Sequence, residues 1–224
     1  MEFILWYGGE GPPNIASQSL PEEERAPAFA LKCGLSDLMK YEGQLAAALS
    51  LYDDSMAKYW ARGECVPGAP ELDWADIAKR DGAMTIYHFG EACDGISSSL
   101  RKCPTLLPLV NLQALNNALR PLRVHFSDRV SVRNVVGHSV ERTQSPVGMQ
   151  DHSFSGLSQK IPGIKTSDTT TGLTLTVNSD RTLAATWKNR IVSYELSKET
   201  LATITAIKLG VWNAFRPSQT PATS

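Results

Sequence analysis

Arg133, Asn134 and His138 have the residue types and the spacing for a reaction at phosphorus. They lie in the run Asp128-Arg129-Val130-Ser131-Val132-Arg133-Asn134-Val135-Val136-Gly137-His138-Ser139-Val140-Glu141-Arg142. At about 100° per residue, a helix over this run gathers Val132, Val135, Val136 and Val140 on one side. Arg133, Asn134, Gly137, His138, Glu141 and Arg142 occupy the other. Arginine presents a planar fork of donors suited to phosphate oxygens and keeps its charge at any relevant pH. Histidine exchanges a proton near neutrality, as a base toward a ribose hydroxyl or an acid toward a leaving oxygen. The Asn134 amide can orient either partner, and Gly137 lets a backbone or a phosphate approach that face closely. Together these are the parts of metal-independent RNA cleavage, in which a 2′-hydroxyl attacks its own phosphodiester while the arginine stabilises the developing charge. The same pattern also describes an amphipathic helix with an ordinary solvated histidine and arginine, and spacing alone leaves both readings open.

The elements that must position these residues are mainly helical. Leu35, Leu38, Leu45, Leu49, Tyr52, Met56 and Tyr59 recur at helical spacing and predict a long amphipathic helix over 36–61. Ser36 is its expected N-cap, and Gly63 with Pro67-Gly68-Ala69-Pro70 its stop. A second helix is expected over 73–101, with Ile86, Phe89, Cys93, Ile96 and Leu100 as its stripe; Gly82, Gly90 and Gly95 mark places for close helix contacts. Pro104 and Pro108 break it, a third helix is expected over 109–119 up to Arg120-Pro121, and a fourth over 128–143. Residues 144–171 read as a long Ser/Thr/Gly/Pro-rich loop. Leu173, Leu175 and Val177 then alternate with threonines, Asn178-Ser179-Asp180 supplies a turn, and Leu183–Trp187 and Ile191–Tyr194 resume strand texture. Ser197 can cap a last helix carrying Leu201, Ile204, Ile207, Val211, Trp212 and Phe215.

The resulting fold class is mainly α: an antiparallel helical bundle with a small C-terminal β-hairpin or meander and a final helix. The hairpin is too small to fold alone and must pack on helices. The chain divides into an irregular N-terminal lead-in (1–27), a helical bundle (28–143), the long loop (144–171), hairpin plus helix (172–216) and a disordered tail (217–224).

Arg133-Asn134-Val135-Val136-Gly137-His138, on a late helix of such a bundle, resembles the R-x4-6-H motif of the HEPN superfamily (higher eukaryotes and prokaryotes nucleotide-binding). The resemblance extends over about residues 35–142. It implies a bundle that is often a homodimer with paired motifs facing across the interface. Many members are RNases in toxin–antitoxin, abortive-infection or CRISPR systems; others have lost catalysis and bind nucleotides, RNA or proteins. Carried onto this chain, the resemblance assigns catalysis to Arg133, Asn134 and His138. It makes a metal-independent endoribonuclease the first expectation, and a non-catalytic module binding a nucleotide, RNA or a partner such as an antitoxin the second. A third alternative is a helical scaffold in which the motif is accidental.

Other residues bear on these readings. Glu42 lies within an apolar stripe, where a carboxylate needs a partner, and an arginine such as Arg133 is a candidate. Alternatively, Glu42 reaches water at the stripe's edge. Gly137 and Glu141 complete the site-supporting set. Arg120, Arg123, Arg129, Arg133 and Arg142 stand against only Asp128 and Glu141, a modest patch for an RNA backbone. Asp53 and Asp54 read as an acidic helix face and His88 as a core-edge histidine.

The 224 residues carry a net charge of −1, which excludes a generic polyanion-coating protein and confines any RNA contact to a local face. No apolar stretch approaches the roughly 20 residues of a membrane span, and Glu2 stands where a signal peptide would carry positive charge. The expectation is a cytoplasmic protein without membrane partners. Cys33, Cys65, Cys93 and Cys103 contain no C-x-x-C pair and read as reduced thiols. No metal-ligand spacing, phosphate-binding glycine loop or G-x-S-x-G elbow is present, so no cofactor is expected.

Overall fold

Apolar stripes at helical spacing become long helices in the computed structural model, which describes residues 5–6, 11–63, 66–137, 177–179, 181–188 and 190–216. In chain order the elements are β1 (Leu5–Trp6), β2 (Asn14–Ile15), α1 (Glu22–Ala61), α2 (Pro70–Leu100), α3 (Leu112–His125), α4 (Arg129–Gly137), β3 (Val177–Ser179), β4 (Thr182–Trp187), β5 (Arg190–Glu195) and α5 (Lys198–Ala214). The protein is mainly helical, with a small antiparallel sheet and a C-terminal helix. The expected loop 144–171, the first half of the expected meander and the tail 217–224 lie outside the described residues.

Several boundaries differ from the sequence reading, each for a local reason. Helix α1 begins at Glu22 rather than near Ser36, which sits in mid-helix. Glu22, Glu23 and Glu24 in the first turn favour its positive end, and Pro27 early in the helix removes one backbone bond without ending it. Among the described residues of the lead-in, β1 pairs antiparallel with β2, and Ile15 and Leu20 are buried. Helix α2 begins at Pro70, because proline's fixed φ and missing N–H suit a first helical position. Helix α3 is capped by Asn111, whose Oδ1 accepts from the Ala114 N–H at 3.0 Å. It continues through Pro121, since Leu115, Leu119 and Leu122 form one buried stripe. Gly63, at φ 73°, follows α1 where glycine readily takes the left-handed region, as its expected stop role requires.

The described residues divide into two compact units, drawn from Met1–Gly43, His88–Phe126 and Ala202–Ser224, and from Gln44–Tyr87 and Ser127–Leu201. The first unit has its core in Leu31, Leu35 and Leu38 of α1, Phe89, Ile96 and Leu100 of α2, the α3 stripe, and Ile207, Trp212 and Phe215 near the C-terminus. Trp212 Nε1 donates to the Leu35 carbonyl at 3.0 Å, satisfying the one polar atom of a buried indole. The buried Glu24 carboxylate accepts from the Thr105 hydroxyl at 2.8 Å and from its N–H at 3.1 Å, anchoring the turn between Pro104 and Pro108. Gly34 supplies the close helix approach in this unit, since a Cβ there would lie 2.9 Å from Ile96 Cγ1.

In the second unit the sheet has order β3-β4-β5, antiparallel throughout. Trp187 pairs with Arg190, so two residues close the β4–β5 hairpin, and Lys188 adopts the positive φ of 47° that such tight turns favour. Along β5, buried Val192 and Tyr194 alternate with exposed Ser193 and Glu195, the period of a half-buried strand. Helix α4 packs against both β4 and β5, which meets the requirement that the small sheet find helical cover. Ser197 Oγ accepts from the Thr200 N–H at 3.2 Å, as expected of the cap preceding α5.

Gly82 serves this sheet rather than a helix contact. A Cβ at that position would collide with the Tyr194 hydroxyl and lie 3.0 Å from Leu196 Cδ1. The Tyr194 hydroxyl is buried and has no hydrogen-bond partner among the described residues. Gly82→Ala is expected to cost about 1–3 kcal/mol in denaturant unfolding, by overpacking. The cost should be smaller in a Tyr194→Phe background, because the clashing atom is an unsatisfied hydroxyl whose removal is close to neutral. Burial first, then the charges of Asp81 and Glu195, push the Tyr194 pKa upward. A raised folded-state value means that the unfolded tyrosine loses its proton first. Stability should therefore fall as the pH rises past the unfolded value of about 10. The Tyr194→Phe variant should show a shallower alkaline decline in the same unfolding titration.

Candidate functional site

Helix α4 carries the candidate site on the side left by its docking residues. Ser131, Val132 and Val135 are buried, which is the valine face expected of the helix, while Val136 is only half-buried. Arg133 and Asn134 are half-buried beside them. Arg133 Nη1 donates to Asn134 Oδ1 at 3.0 Å, so the amide orients the guanidinium as its place in the sequence suggests. The guanidinium carbon lies 5.5 Å from the centroid of the Tyr87 ring, within cation–π range. Tyr87 lies on α2 and belongs to the same unit as α4.

Gly137 is exposed, and a Cβ built on it meets nothing within 4 Å among the described residues. The described structure therefore leaves open space at that position. Arg129 lies one turn before Arg133 on α4, is half-buried, and shares its unit. Arg120 and Arg123 are exposed on α3 and belong to the other unit. His138, Glu141 and Arg142 lie outside the described residues. The structure thus brings Arg133, Asn134 and Arg129 onto one short helix and adds Tyr87, which the sequence reading passed over. Its neighbours His88 and Phe89 had suggested only a core edge; position 87 gives no signal of its own, because the contact spans two helices distant in sequence.

Glu42 is paired with residues of α5, neither with the candidate Arg133 nor with water alone. Its carboxylate accepts from the Thr205 hydroxyl at 2.6 Å and forms an ion pair with Lys208. Thr205 and Lys208 are three residues apart on α5, so both donors come from one helix face. Lys208 also lies over the Trp212 ring, 5.0 Å from its centroid. The pair answers the demand for compensation of a carboxylate in an apolar stripe, and it does so within the first unit. Asp53, read as part of a solvated acidic face, instead accepts from Arg181 Nη2 at 2.5 Å. The Arg181 guanidinium also sits 5.2 Å from the Tyr52 ring centroid, which ties the β3–β4 turn to α1 within the second unit.

Cys33, Cys93 and Cys103 form no disulfide, and burial followed by the charge of Glu24 pushes the Cys103 thiol pKa up, away from thiolate chemistry. His88 stacks on Tyr41 with ring centroids 5.9 Å apart. Among the described residues, no three His, Cys, Asp or Glu side chains are grouped as metal ligands. No described helix is long and apolar enough to cross a membrane.

Comparison with known proteins finds no family model, no curated protein and no solved structure that matches this chain.

Proposed function

We propose that this protein is a HEPN-like, metal-independent endoribonuclease in which Arg133 grips the scissile phosphate, Asn134 holds that arginine, and His138 moves the proton. The observation that carries this reading is the pairing of Arg133 with Asn134 on a docked helix, with the guanidinium bonded along one edge and seated over an aromatic ring. An arginine restrained in this way has lost orientational freedom on folding, and less remains to be lost when it meets a phosphate. His138 enters from the R-x4-H spacing. Within the reading, it accepts the proton of a ribose 2′-hydroxyl as that oxygen attacks the adjacent phosphorus. The bond to the 5′-oxygen breaks, and that oxygen takes its proton from the protonated His138 as it leaves, which returns the histidine to its starting state. The products are a 2′,3′-cyclic phosphate and a 5′-hydroxyl end. Arg133 stabilises the charge that builds on the phosphoryl oxygens, so side chains fill each role without a metal.

The HEPN resemblance adds a homodimer and a setting in toxin–antitoxin or phage defence, with an antitoxin as the protein partner. Arg129 on the same helix supplies positive charge for a backbone phosphate, which positions an RNA without reading its sequence.

Labelled single-stranded RNA incubated with the purified full-length protein in EDTA is expected to yield 2′,3′-cyclic phosphate ends. His138→Ala and Arg133→Ala should each slow cleavage by about 100-fold or more, the usual scale for losing a general acid/base or a transition-state donor. Cleavage that continues unchanged in His138→Ala overturns the catalytic assignment. RNA binding without cleavage, abolished in Arg133→Ala, assigns the face to a non-catalytic module instead.

A further inference from the structure

We draw no further inference here: the strongest candidate, the surface patch of exposed apolar side chains Trp60, Val66, Trp74 and Ile77 where α1 gives way to α2, carries none because nothing in the structure shows what covers it.

Discussion

The docking of α4 on the small sheet is the constraint on which the candidate site depends. Its nine described residues, four of them β-branched valines, would not hold a helix alone in water, where isolated helices shorter than about 12–15 residues are marginal. What keeps them helical is burial of Val132 and Val135 against β4 and β5. Burial of that face fixes where Arg133 and Asn134 emerge, and hence the distance from the guanidinium to Tyr87. The sheet is in turn seated by Tyr194 and Leu196 on the side-chain-free position at Gly82, and by Arg181 on Asp53. A path of packing thus runs from a glycine in α2 through the sheet to the arginine on α4, all within one unit.

Charge is distributed in a way that follows the same logic. A net charge of −1 hides specific pairings rather than a diffuse balance. Glu42 is matched by Lys208 and Thr205, Glu71 by Arg62, and Asp53 by Arg181. In a partly desolvated setting such pairs chiefly remove the penalty of an isolated charge; they add little as surface attractions. Arg133 also meets a neutral amide and an aromatic ring.

The fold was legible in the sequence where periodicity is strong. The stripes of α1 and α2, the alternation along β5 and the Ser197 cap all follow directly from residue spacing. The boundaries were harder to read because proline signals are ambiguous. Pro27 and Pro121 look like breaks, yet each costs only one backbone bond within a helix whose apolar face is buried by tertiary packing. The partner of Glu42 could not be read, since a carboxylate in a stripe announces only that some donor is needed. Arg133 and Asn134 were legible as a pair because they are adjacent on a polar helix face. Tyr87 was not, because nothing in its own neighbourhood in the sequence marks a contact with residue 133.

The central claim is that Arg133 is the group that grips a phosphate of single-stranded RNA. Its most direct test is the salt dependence of binding to an oligonucleotide whose ribose 2′-hydroxyls are replaced by hydrogen, so that cleavage cannot occur. Arg133→Ala is expected to weaken binding by about tenfold, as loss of one charged contact of roughly 1.4 kcal/mol implies. It should also reduce the slope of log affinity against log salt by about 0.7, the loss of a single phosphate contact on a single strand. Equal affinities and equal slopes for wild type and Arg133→Ala would contradict the account.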